Sequence, residues 1–144
     1  MSYLDERLCF ALYSSSKAVV GLYQPYLNAI GITYLQYLII IVLIEHGDQT
    51  VSQLGENLFL NSGTLTPALK RMESQGLIDR ARSQQDERIV VVSLTEKARG
   101  LEGDIAEMQF EVSCSVGLDK TTFRTLRDEL KALNSRLREK SQNS

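Results

Sequence analysis

Two thiols, Cys9 and Cys114, are the residues best suited to covalent chemistry in this 144-residue chain. A cysteine reacts as its thiolate, and a free thiol of pKa about 8.5 is mostly protonated at neutral pH, so a reactive one depends on its surroundings. Cys9 lies in "DERLCFALYSSSKAVVGLY", residues 5–23, on an amphipathic stripe with Leu12, Tyr13, Ser16, Val20 and Tyr23. An isolated cysteine on such a stripe is ordinarily a small buried hydrophobe. The competing reading is a sensor thiol in the second turn of a helix, where the positive dipole end favours an anion while Asp5 and Glu6 oppose it. Positions 9 and 23 are 14 residues apart. At a rise of about 1.5 Å per residue that is roughly 21 Å, so Cys9 and Tyr23 cannot touch within one continuous helix. The single histidine, His46, sits beside Glu45 with no metal-ligand partners. No nucleophile–base pair, phosphate loop or metal spacing is visible, so the expectation is no enzyme, no metal and no cofactor.

A second group of residues suits binding. "NSGTLTPALKRM" opens with Ser62, Thr64 and Thr66, short hydroxyl side chains able to reach bases or phosphates, and continues to Lys70 and Arg71. Leu65, Leu69 and Met72 share the opposite, core-facing side. Further on, "RSQQDER" carries Arg82 and Arg88, with Asp86 placed to pair with Arg88. A loop tip with arginines suits the narrow, negative minor groove of DNA. The bland reading is a solvated charged turn. Over residues 68–88, Lys70, Arg71, Arg80, Arg82 and Arg88 face Glu73, Asp79, Asp86 and Glu87, a near balance. Affinity must then come from placement and from doubling in a dimer, and should weaken steeply with salt.

The elements that position these residues follow from capping and periodicity. A helix is expected from about Leu4 to Ile30, ending at Gly31, with Pro25 kinking it or splitting off its last turn. Thr33 and Gln36 form a capping box for "YLQYLIIIVLIEH", apolar nearly all round and hence the buried central helix, stopped by Gly47. Ser52 can cap a short helix to Leu58, and Ser62 a second to Gln75, closed by Gly76: a helix-turn-helix. "LIDRA" and "RIVVVSL" read as a hairpin, the wing. Thr95 opens a helix to about Val116, and Asp119 one to about Lys140. The fold class is therefore mainly α with a small β wing, a winged helix-turn-helix core between terminal helices. The first and last segments carry long apolar stripes, Leu118, Phe123, Leu126, Leu130, Leu133 and Leu137 among them, with no partner inside the middle block, which points to a homodimer built from the termini.

Composition is that of one ordinary globular domain over 1–144, with 43% apolar and 24% charged residues and a net charge of −2. The longest apolar run, residues 34–44, is too short to span a bilayer, so no membrane partner is expected. Acidic residues stand where a secretory signal would be basic, and two cysteines make no disulfide scaffold, so a reducing cytoplasm is the expected compartment.

Taken together, "LCFALY", "YLQYL", "LNSGTLTPALKRMESQGLI" and "DERIVVVSLT" resemble the MarR family of winged-helix regulators, and within it the OhrR-type organic-hydroperoxide sensors. The resemblance covers nearly the whole chain. It implies a single MarR-type domain with dimerisation helices over 1–32 and 96–142 around a buried helix and winged helix-turn-helix over 33–95. It implies a repressor that leaves an inverted-repeat operator on double-stranded DNA when organic hydroperoxide oxidises Cys9. Tyr23 and Tyr34 would hydrogen-bond that sulfur, and by the distance above they would come from the partner subunit. Arg71 and Arg88 would contact DNA, with Asp86 in support. Cys114 resembles the resolving thiol of the two-cysteine type, which condenses with a sulfenic acid into an intersubunit disulfide. The alternatives are a MarR-type regulator released by a phenolic or lipid ligand, with the cysteines incidental, and a winged helix that binds protein rather than DNA.

Overall fold

In the computed structural model, which describes residues 2–144, the order is α1 (Leu8–Ile30), α2 (Tyr34–His46), β1 (Gln49–Thr50), α3 (Val51–Leu58), α4 (Ser62–Ser74), β2 (Ile78–Arg82), β3 (Val90–Leu94), α5 (Glu96–Arg99), α6 (Glu102–Ser115) and α7 (Lys120–Gln142). The chain forms two compact units, one through Phe110 and one from Glu111 onward. Among the described residues no single helix is long and apolar enough to cross a membrane.

In the first unit α1 and α2 meet at a bend of 81°. Gly31, at φ 75°, makes that bend possible, and the amides of Gly31 and Ile32 close α1 by donating back to the Asn28 and Leu27 carbonyls. The helix starts at Leu8 rather than Leu4, because residues 3–6 form turns in which Asp5 and Arg7 donate to the Ser2 and Leu4 carbonyls. Cys9 is thus in the first turn, not the second. Pro25 does not split α1, which runs through it unbroken; the proline only withholds one donor, from Gly21's carbonyl.

The predicted capping box of α2 is present, with Thr33 accepting from the Gln36 amide at 3.2 Å and Gln36 accepting from the Thr33 amide at 3.1 Å. Ile39, Ile40 and Leu43 are buried along α2, which packs against α1, α3, α4 and β3. The caps of the next two helices differ from expectation by one or two residues. Thr50, not Ser52, caps α3, because Gln53 three residues later completes a second box; Asn61, not Ser62, caps α4 by accepting from the Thr64 amide at 2.9 Å. The turn between them holds Phe59 at φ 58°. It also brings the Leu60 carbonyl so close to Gly55 that a Cβ there would lie 2.6 Å from the oxygen. Leu54, Leu65, Leu69 and Met72 seal the helix-turn-helix as its fully buried face.

Gly76, at φ 72°, ends α4 with the Gly76 and Leu77 amides donating to the Glu73 and Met72 carbonyls. The wing hairpin pairs Ile78 with Leu94 through Arg82 with Val90, antiparallel. It has a third, two-residue strand that the sequence did not announce: β1 pairs Gln49 with Val92 and Thr50 with Val91, giving the order β1-β3-β2. The expected helix from Thr95 to Val116 is broken into α5 and α6. Gly100 and Leu101 close α5 with bonds back to Glu96 and Ala98, and the chain then restarts at Glu102. In the second unit Asp119 caps α7 as predicted, accepting from the Thr122 amide at 2.9 Å. Helix α7 buries none of its residues, and Leu126, Leu130 and Leu137 are exposed along it.

Candidate nucleic-acid interface and thiol site

The reading surface is built at the N-terminal end of α4. Asn61 holds its first turn, leaving Ser62 and Thr64 exposed, while Thr66 is half-buried beside them. The Ser62 and Gly63 amides that open the turn have no acceptor in the preceding turn of helix, so this end suits phosphate. Lys70 and Arg71 are both exposed further along. Leu65, Leu69 and Met72 point into the core as expected, which fixes the rotation of the helix and keeps its hydroxyl-bearing side outward.

The wing is braced by its own polar residues. Asp86 accepts from the Arg88 backbone amide at 3.0 Å and from Nε and Nη2 of the same arginine at 3.2 and 3.4 Å. The Arg88 hydrogen bond holds the Asp86 carboxyl below the usual carboxylate range. The arginine side chain nevertheless remains 90% exposed, so it is aimed rather than hidden. Arg82 donates from Nη1 to the Glu87 carbonyl at 2.7 Å across the loop, and the Ser83 amide donates to the Ile89 carbonyl at 2.7 Å. Arg82 therefore stiffens the tip in addition to carrying charge.

Arg80, which the sequence offered only as one charge in a near balance, pairs with Glu73 of α4 at 3.1 Å. That bond holds the Glu73 carboxyl below its ordinary value. The Arg80 Nε is buried and has no hydrogen-bond partner. Other parts of Arg80 line a groove of about 550 Å³ with Ser62, Thr66 and Leu69 of α4, Ser52 of α3, and Arg88 and Ile89 of the wing.

Cys9 is exposed in the first turn of α1, and Cys114 is exposed near the end of α6. The two tyrosines singled out with Cys9 come together with each other, not with the thiol. Tyr23 and Tyr34 stand edge to face with ring centroids 5.5 Å apart. Tyr37, missed in the sequence although it follows Tyr34 at helical spacing, completes the cluster at 5.5 and 5.7 Å. Burial, the neighbouring Tyr37 and Tyr34, and a hydrogen bond with Tyr37 push Tyr23 up to about 12; burial, then Tyr37, raises Tyr34 as well. These hydroxyls keep their protons at neutral pH, so they can act as donors toward an anion. Tyr37 is itself buried and accepts from Gln109 Nε2 of α6 at 2.9 Å. Cys9 lies at the start of the unbroken helix α1, while the cluster forms where Tyr23, further along it, meets Tyr34 and Tyr37 of α2.

This architecture matches known regulators. Residues 21–105 match the family model described as transcriptional regulator SarA/Rot. The chain is 46% identical over 134 residues to the organic hydroperoxide resistance transcriptional regulator of Bacillus subtilis, covering 93% of this chain and 86% of that protein. It superposes on reduced AbfR bound to DNA with a TM-score of 0.78 at 34% identity, covering 93% of this chain and 94% of the other. It also superposes on a disulfide form of AbfR, a protein of Staphylococcus epidermidis, with a TM-score of 0.65 at 36% identity, over 90% of this chain and 91% of that one. These relatives are DNA-binding transcriptional regulators and not enzymes. With its helix-turn-helix, three-stranded wing and N-terminal cysteine, the chain belongs to the MarR family of winged-helix transcriptional regulators, in the branch of the organic hydroperoxide regulators.

Proposed function

We propose that the protein is a cytoplasmic, redox-sensing repressor that binds an inverted-repeat operator as a reduced homodimer and releases it when organic hydroperoxide oxidises Cys9. The observation that carries this reading is the separation of an exposed Cys9 from the Tyr23–Tyr34–Tyr37 cluster along one rigid helix. A second chain running antiparallel to α1 would bring a partner's cluster to each thiol. The exposed leucines of α7 and the unburied first turns of α1 supply the apolar surface such a dimer requires. Ser62, Thr64, Thr66, Lys70 and Arg71 would then read one half-site of the operator, while Arg82 and Arg88 enter the adjacent minor groove.

The chemistry is a two-electron oxidation. The Cys9 sulfur attacks the distal peroxide oxygen, the O–O bond breaks, and the hydroperoxide leaves as an alcohol while the sulfur becomes a sulfenic acid. The Cys114 thiol of the partner protomer then attacks that sulfur, forming the disulfide and expelling water. The existence of a disulfide form in AbfR supports the second step. The test is fluorescence anisotropy on the DNA upstream of the protein's own gene, with cumene hydroperoxide, for wild type, Cys9→Ser and Cys114→Ser, alongside non-reducing gels. Wild type should be released and form a covalent dimer; Cys9→Ser should stay bound, and Cys114→Ser should form no covalent dimer. Wild type that stays bound while its thiols oxidise would refute the proposal.

The groove beneath the wing favours a second reading. A 550 Å³ cleft lined by Arg80 and Arg88 suits a small anionic or phenolic ligand, and occupation there would press directly on α4. Ligand-induced release that survives in Cys9→Ser would select this reading over the first.

A further inference from the structure

The buried side chain of Gln36 is not explained by capping alone. Gln36 is 2% exposed, in a helix whose other buried residues are Tyr37 and aliphatics. Its Oε1 accepts from the Thr33 amide, as the capping box requires. Its Nε2 donates to Oε1 of Gln75, 39 residues away, at 2.9 Å. Gln75 is the C-cap of α4, and its own carbonyl accepts from Lys97 Nζ of α5 at 2.7 Å. The chain contains an internal comparison. Gln53 occupies the same position in the capping box of α3 and serves the same local purpose from an exposed site. Only at Gln36 is the amide buried and turned onto another helix.

We infer that Gln36 and Gln75 are positioning residues that couple the tyrosine cluster to the DNA-reading helix. Tyr34 and Tyr37 flank Gln36 in the first turn of α2, so a displacement of the cluster moves the turn that holds the amide. A buried N–H cannot exchange its acceptor for water. The end of α4 must follow the turn, or the donor is stranded. Because Lys97 fixes the Gln75 carbonyl from the other side, α4 pivots about its C-terminal cap and the motion emerges at its N-terminal turn, where Ser62 and Thr64 stand. As a description of redox control this rests on the proposed function; as a mechanical linkage it does not, and the test separates the two.

The mechanical arm is a double-mutant cycle in reduced protein. Tyr34→Ala and Gln75→Ala, singly and together, are assayed for affinity to a duplex selected by reduced wild type from a random pool, with thermal melts confirming the fold. Coupling should make the two effects non-additive by about fivefold or more. Gln75→Glu, which keeps an acceptor oxygen for the Gln36 donor, should restore wild-type behaviour, a rescue that bulk packing would not produce. Effects that multiply within about twofold overturn the linkage. If Gln75→Ala does not fold, Gln36→Met, which removes the donor and fills the same space, enters the same cycle. The redox arm compares affinities before and after cumene hydroperoxide: the reduced-to-oxidised affinity ratio should shrink about tenfold in Gln75→Ala. A wild type that is indifferent to peroxide overturns the redox reading alone, and the reduced-state cycle then decides the linkage.

Discussion

Replacing Arg88 with alanine separates charge at the wing from stability of the wing. The side chain is 90% exposed and its ion pair with Asp86 lies at the surface, so the melting temperature should not move measurably. Operator binding should respond strongly. A guanidinium in a minor groove contributes about 1–3 kcal/mol, and a dimer presents it at each half-site. The sharper signature is the salt dependence. Each phosphate neutralised adds about 0.9 to the slope of log affinity against log salt, so losing one arginine per wing makes the dimer's slope shallower by about 1.8. Between about 50 and about 200 mM salt, a fourfold change, wild type should lose about 12-fold more affinity than Arg88→Ala. Fluorescence anisotropy over that range reads both quantities. Asp86→Ala is the companion, because it leaves the positive charge but frees it from the bonds at 3.2 and 3.4 Å. It should weaken binding with no loss of slope. An Arg88→Ala slope equal to wild type would show that the wing arginine never approaches the DNA backbone, and the assigned docking geometry would fail.

Three further outcomes are expected. Gly55→Ala should destabilise by about 1–2 kcal/mol in denaturant melts, because the added Cβ meets the Leu60 carbonyl at 2.6 Å and backbone must shift, outweighing the gain in helix propensity; a more stable variant would contradict that close approach. Asn61→Ala should lower the melting temperature by about 2–4 °C, the effect of a lost cap of about 1 kcal/mol, and should weaken DNA binding, since the capped turn presents Ser62 and Thr64. Of the six tyrosines, Tyr23 should titrate near pH 12 by ultraviolet absorbance. Its folded pKa exceeds the unfolded value of 10.0, so its share of stability is complete below pH 10 and is lost as the pH rises through 12; Tyr23→Phe should flatten that decline.

What the sequence made legible was mostly local. The Thr33–Gln36 box, the Gly47 and Gly76 stops and the Asp119 cap are each decided within a few residues, and each is where its spacing placed it. The core face of α4 followed from the spacing of Leu65, Leu69 and Met72. The errors arose where several local solutions compete. "QTVSQ" offers both Thr50 and Ser52 as caps, and Gln53 decides in favour of Thr50 by closing a reciprocal box. "LNSG" offers Asn61 and Ser62, and the amide oxygen of Asn61 wins. Strand β1 has only two residues and no alternation of its own; it exists because β3 presents an edge to Gln49 and Thr50. The site shows the same division. Hydroxyls and arginines are visible as residue types, but the meeting of Tyr23 with Tyr34 and Tyr37 depends on the 81° bend at Gly31. The burial of Gln36 depends on a helix cap 39 residues away, and no window of sequence contains both.

The position of α2 explains how a fold this small can join a thiol site to a DNA-reading helix. Under the proposed function each thiol at the start of α1 meets the tyrosine cluster of a partner subunit, so motion confined to one α1 helix cannot report oxidation. The signal must leave through the residues the rings touch, and those belong to the first turn of α2. Helix α2 contacts α3, α4 and β3 together, and its Ile39, Ile40 and Leu43 are among the most fully buried side chains in the chain. A close-packed core of that kind cannot absorb a displacement by compressing; it repacks or it passes the shift on. The apolar circumference that marked α2 as central in the sequence is therefore what makes it a transmitting element. An amphipathic helix in its place would have had a solvent face along which to slip.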